Sequence, residues 1–130
     1  VDGSGSNDSS HLLAEARQAL LLTRLGYGAG AMRVMDALRL ATVGGAQCLG
    51  RDDIGTIAPG KAADIAIFSL DDLGYSGAGD PVAALLLCHP SRVDTLIING
   101  RIVVEQGRLK TVDLVPIIEA HRRKAKDLLQ

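Results

Sequence analysis

The stretch TLIINGRIVVEQG constrains this chain more than any other. Ile and Val crowd both of its arms, and the Asn99–Gly100 pair between them supplies the positive φ angles of a type I′ turn, so the stretch reads as a β-hairpin. A further strand signal, DIAIFSL, follows the turn APGK. Two or three strands are a thin basis for an independent sheet, because a lone hairpin is marginal in water. The pattern therefore predicts strands that need partners from elsewhere.

Helical periodicity fills most of the remainder. Residues 1–9 form a polar Gly/Ser/Asn/Asp loop, after which Ser9 or Ser10 is expected to cap a helix running from about Ser10 to Leu25. Leu12, Leu13, Ala16, Ala19 and Leu20 make one stripe, and Leu21, Leu22 and Leu25 spread apolar surface onto a second face, the pattern of a helix covered on two sides. GYGAG ends it. The next stretch, MRVMDALRLATVGGAQCLG, puts Val34, Leu38 and Ala41 on one face. Its Gly44–Gly45 pair predicts a break or bend before a short final helix closed by Gly50. DPVAALLLC reads as a short helix started by Asp80 and Pro81. The end, VDLVPIIEAHRRKAKDLLQ, reads as an amphipathic helix capped by Asp113, with Leu114, Ile117, Ile118, Ala125 and Leu128 on one face.

Composition removes several functional classes. With 14 basic and 15 acidic residues and three aromatics, Tyr27, Phe68 and Tyr75, the 130-residue chain has neither the basic excess nor the stacking side chains of a nucleic-acid or anionic-membrane binder. Its longest apolar run, VAALLLC, is about a third of the ~20 residues that span a bilayer. With no charged-then-apolar signal pattern at the amino end, a soluble, cytoplasmic protein is expected. Cys48 and Cys88 are isolated, without metal-type spacing, and are expected to be buried free thiols.

Few residues carry chemistry by spacing alone. Asp2, a carboxylate at what reads as the carboxyl end of a strand and followed by Gly3, is how an α/β barrel presents a metal ligand or proton acceptor at its mouth, although an Asp that merely starts a turn has the same local look. GSGSND lacks the GxGxxG fingerprint, and PGKAAD lacks the Ser/Thr and the upstream glycine of a phosphate loop. His11 falls in the first turn of a helix, where a solvated role competes with a place near Asp2. His89, before Pro90, is expected in a turn, and His121, on the apolar face of the last helix, is expected in a core or interface. No HxH, HExxH or His/Cys cluster exists, so the chain by itself cannot supply the three or four ligands of a catalytic zinc.

Taken whole, the chain resembles a known superfamily. VDGSGSNDSSHLLAEARQALLL, ALRLATVGGAQCLGRDDIGTIAPGKAADIAIFSL and VDTLIINGRIVVEQGRL are similar to the C-terminal end of amidohydrolases, more narrowly to the branch containing 8-oxoguanine deaminase, hydroxyatrazine-type ethylaminohydrolases and other triazine or cytosine-like deaminases. The ATxxxAxxLG…IGxIxPGKxAD block carries the superfamily, and DGSxSNDSSxLLAEARQALLL carries the branch. The resemblance implies an α+β fragment: the C-terminal end of a (β/α)8 metallo-hydrolase barrel, part of its small β-sandwich domain, and a C-terminal helix. Residues 1–50 would end the barrel, 51–112 would form part of the small domain with a short inserted helix, and 113–130 would be the terminal helix.

The same resemblance gives Asp2 two roles, as metal ligand and as the catalytic carboxylate that takes a proton from the water activated by the metal and passes it to the leaving amine. Ser4, Ser6 and Asn7 would stand at the barrel mouth as substrate-binding residues. It implies one divalent metal in the full-length enzyme, zinc or iron, with none held by these residues alone, and a small heterocyclic substrate. The other ligands would lie on a missing segment of ~300 residues, by the size of a barrel with an extra domain. A piece cut in this way is expected to be inactive alone and to self-associate or exchange segments through strand edges and apolar helix faces. The competing expectation is a non-catalytic interaction or assembly module that keeps the scaffold without its chemistry.

Overall fold

A computed structural model describes residues 9–88 and 92–129. Helix α1 spans Leu12–Tyr27. Its cap is His11 rather than Ser9 or Ser10: Ser10 has φ +44°, outside the extended region a capping residue needs, whereas His11 has φ −116° and ψ 103°. Gly28, at φ +98°, ends the helix with its N–H donated to the Arg24 carbonyl.

Helix α2 (Val34–Arg39) follows a short loop pinned by Arg24, whose Nε donates to the Met32 carbonyl at 2.9 Å. The expected break at Gly44–Gly45 is absent. Instead the helix widens into a π-helical turn over Leu40–Gly44 and continues as α3 (Gly45–Cys48), with Gly44 and Gly45 both at helical φ −60° and ψ −44°. The Thr42 hydroxyl donates back to the Leu38 carbonyl at 2.9 Å, a bond that competes with the regular backbone ladder at this point. Gly50, at φ +63°, closes the unit as its sequence position predicts.

The loop that follows leans back on this widened turn. At Gly55 (φ +84°) a Cβ would stand 2.9 Å from the Ala46 Cβ and 3.2 Å from the Thr42 carbonyl oxygen, so neither the backbone angle nor the space admits a side chain. Helix α4 (Pro81–Leu87) is built as its sequence predicts: the Asp80 carboxylate accepts from the Val82 and Ala83 N–H groups, and Pro81 occupies the first turn.

Helices α1, α2 and α4 meet around Ala16, Leu20, Ala37 and Leu86, with Leu13, Met32, Val34, Leu38, Ala41 and Leu87 packed against them. Alanine at two of the four central positions lets the helix axes approach closely. Only one side of α1 is covered, contrary to the two-sided burial its sequence predicts; Leu22 is 59% and Leu25 84% exposed. Cys48 and Cys88 are exposed rather than buried. Each lies at the end of a short helix.

The strands form one antiparallel sheet in the order β1 (Ile65–Ile67), β2 (Thr95–Ile98), β3 (Arg101–Glu105), β4 (Arg108–Leu109). Ile65 faces Ile97, which in turn faces Ile102, with a bulge between Leu96 and Ile97. Asn99 (φ +48°) and Gly100 (φ +75°) make the expected turn, and the Asp64 carboxylate holds it by accepting from the Asn99 N–H at 2.7 Å. A second turn of the same sense, Gln106–Gly107, adds the short strand β4. Helix α5 (Leu114–Leu128) starts at Asp113, whose carboxylate accepts from the Val115 N–H. None of its described side chains is buried, so His121 is exposed rather than part of a core. Among the described residues no helix is long and apolar enough to cross a membrane.

Candidate functional site

Asp2, Ser4, Ser6 and Asn7 lie outside the described residues, as does His89. The described chain begins at the junction between their loop and α1. There the His11 carbonyl accepts from the Ala14 and Glu15 N–H groups, which starts the helix, while the His11 side chain makes no cap bond. His11 is half-buried and its Nδ1 is shut off from solvent, with no hydrogen-bond partner among the described residues. Arg17, one and a half turns further on, has a buried Nε in the same condition. Sequence periodicity gives no sign of the Arg17 feature. Arg17 flanks the inward-facing Ala16 and Leu20 of α1.

Elsewhere the carboxylates serve local structure. Asp36 is clasped by Arg33, whose Nε and one terminal nitrogen each donate at 2.9 Å and whose backbone N–H donates at 3.1 Å. The Arg33 side chain and backbone N–H bonds hold the Asp36 carboxyl down to about 2, against burial that opposes the charge, so it is ionised at neutral pH and a weak proton acceptor. Arg51 grips Asp53 at 2.8 and 2.5 Å and pulls its pKa below the usual carboxylate range. Lys61 donates to the Asp52 carbonyl. Asp72 caps the short 3₁₀ turn Leu73–Tyr75 by accepting from the Gly74 N–H.

Open depressions lie among the described residues. One, about 480 Å³, lies along the π-helical turn beside Asp36, Arg39 and Gln47. Another, about 280 Å³, lies where the β1 and β2 ends meet the Gln106–Gly107 turn, beside Asp71, Asp72 and Asp94. Among the described residues no three His, Cys, Asp or Glu side chains come together as metal ligands. The described residues on their own therefore do not fit a metal centre, and any such centre needs donors beyond them.

Sequence comparison places these features in a family. Residues 1–103 match the model of the amidohydrolase family, and the chain belongs to it. It is 50% identical over 129 residues to 8-oxoguanine deaminase of Pseudomonas aeruginosa, covering 99% of this chain and 29% of that protein. It is 38% identical over 125 residues to hydroxydechloroatrazine ethylaminohydrolase of Pseudomonas sp. strain ADP, covering 92% of this chain and 26% of that one. A crystal structure of an adenosine deaminase from Xanthomonas campestris with bound zinc superposes on 97% of this chain and 29% of its own, with a TM-score of 0.89 and 29% identity. The chain thus spans under a third of the length of the relatives it matches.

Proposed function

We propose that this chain is the C-terminal segment of a metal-dependent hydrolase that deaminates a purine-like or triazine-like heterocycle, within the 8-oxoguanine deaminase-like branch. The observation that carries the reading is the 50% identity to an 8-oxoguanine deaminase, sustained across 99% of the chain rather than confined to one motif. The fold is consistent with it: a helical unit, then a small antiparallel sheet whose outer strands β1 and β4 each pair on one side only among the described residues. On this reading residues 1–50 end the barrel, 51–112 contribute to the small domain and 113–130 form the closing helix. The parent works in the cytoplasm as an oligomer, on zinc or another divalent ion whose remaining ligands come from upstream residues.

Asp2 is the group this chain supplies to the reaction. Its carboxylate would help hold the metal, and would take a proton from the attacking water and return it to the departing nitrogen, which converts a poor leaving group into ammonia or an amine. Ser4, Ser6 and Asn7 present hydroxyl and amide groups to the ring. The test is ammonia release by the full-length parent from 8-oxoguanine, guanine, cytosine and amino-triazines. One of these is expected to turn over, and Asp2→Asn is expected to lower kcat by about 10²–10⁴-fold. No release from any of them, or an undiminished Asp2→Asn enzyme, overturns the reading; the first result with a folded parent favours the non-catalytic module.

A further inference from the structure

We infer that α5 docks onto the acidic end of the sheet in a second copy of this protein, each copy offering its helix to the other. This deepens the oligomer named in the function proposed above, and rests on that reading only for a longer parent. Its ground is a helix without a cover. An isolated helix of 15 residues is marginal in water, and in proteins most helical stability comes from packing an amphipathic face. On α5 the stripe of Leu114, Ile117, Ile118 and Leu128 is exposed throughout. Its cations Arg122, Arg123, Lys124 and Lys126 form no ion pair among the described residues.

Charge selects what covers the stripe. At about 100° per residue, Arg122 and Lys124 stand about 80° to either side of Leu114, whereas Glu119 and Asp127 lie on the far face. Two α5 stripes laid together would set cation against cation, which disfavours pairing of the helix with itself. The fitting surface carries apolar side chains among carboxylates, and this chain has one. Between Lys61 and Arg92 there is no Lys or Arg, and Asp64, Asp71, Asp72 and Asp80 all fall in that interval. Asp71 and Asp72 join Asp94 around the depression of about 280 Å³, where Arg92 is the one opposing charge in the lining. Leu73, next to Asp72, is 87% exposed. The helix brings what this surface lacks, a run of cations beside exposed leucine. Within one chain the two surfaces form no ion pair among the described residues. Exchange between two copies satisfies both at once, the reciprocal contact of a two-fold dimer.

The experiment uses the full-length, metal-loaded parent and two charge-swapped variants, Arg122→Glu/Lys124→Glu and Asp71→Lys, all at exposed positions. Sedimentation of the unaltered parent is expected to show a dimer that weakens as salt rises. Each variant alone should dimerise about tenfold more weakly or worse, because every dimer contains the contact twice and both contacts then oppose like charges. An equimolar mixture of the two variants should restore the dimer, since each helix again meets a surface of opposite sign. Hydrogen exchange in residues 114–128 should be slow in the dimer and quicken on dilution. A monomeric parent, variants that dimerise as the parent does, or a mixture that restores nothing each overturns the inference. Exchange in α5 that is slow at every concentration overturns it too, because the cover then lies within one parent chain. Failure of the deaminase reading shows separately, as no ammonia release from a dimer that still obeys the charge swap.

Discussion

The helical unit and the sheet of this chain are built to different standards of closure. Around α1, α2 and α4 four side chains are fully or almost fully buried, Leu20 at 0% exposure among them. In β1–β4 and α5 no described side chain is buried, and Ile67, Ile98, Ile102 and Ile117 each remain about half exposed. Both regions are rich in Ile, Leu and Val, so composition does not separate them. The difference is partnership: three helices enclose a volume between them, whereas a single sheet has two faces and two edges to cover.

The contrast is broken most directly by truncating one side chain in each region. Leu20→Ala is expected to destabilise the protein by about 2–5 kcal/mol, because it opens a cavity where the helices meet. Ile102→Ala should cost about 1 kcal/mol or less, since half of that side chain already faces water. Urea denaturation of both variants measures this; equal losses would show that the sheet is as well closed as the helices.

Gly55→Ala tests the seam between the two regions. A methyl group placed 2.9 Å from the Ala46 Cβ, on a backbone at φ +84°, is expected to cost about 1–3 kcal/mol, read from the same denaturation midpoints. The two carboxylate caps sharpen the comparison further. Asp80→Ala should remove about 1 kcal/mol from global stability, because α4 carries Ala84 and Leu86 into the core. Asp113→Ala should fray α5 alone, seen as faster hydrogen exchange in residues 114–118 with an unmoved global midpoint.

The smallest effect belongs to Arg33 and Asp36 on the exposed rim of α2. Because the Asp36 pKa is lowered on folding, what the pair contributes is present above the ordinary Asp pKa and is lost as the pH falls through about 2. Arg33→Gln is expected to return the Asp36 titration midpoint to the ordinary carboxylate range by NMR, with little change in stability at neutral pH. A midpoint that stays near 2 would assign the shift to something other than Arg33.

Features that depend on a few adjacent residues were legible in the sequence. Asp80–Pro81, Asn99–Gly100 and Asp113 each act through neighbours two or three positions away, and each appears where its type predicts. Features set by distant neighbours were not. Cys48 and Cys88 have apolar chemistry but stand at helix ends that none of the described residues covers. The amino-terminal cap moved to His11 because the backbone of Ser10 is reversed, and a serine side chain gives no hint of that. Strand β4 was missed because two residues carry no periodicity, although the Gln-Gly pair before it is a turn signal. Of the candidate site, the amidohydrolase relationship was readable from whole blocks of sequence. Asp2, Ser4, Ser6 and Asn7 lie outside the described residues, and the resemblance remains their support.

The π-helical turn at Leu40–Gly44 also sets a phase. A turn of this kind holds one residue more than an α-helical turn, so residues after it are rotated about 100° from where an uninterrupted α2 would carry them. That rotation aims Ala46 at the bare backbone of Gly55. Deleting a single residue between 40 and 44 would therefore close the turn to regular α geometry and leave Ala46 aimed at Gly55, whereas inserting one into α3 before Ala46 would turn that contact face away and uncouple the helical unit from the loop that leads to the sheet.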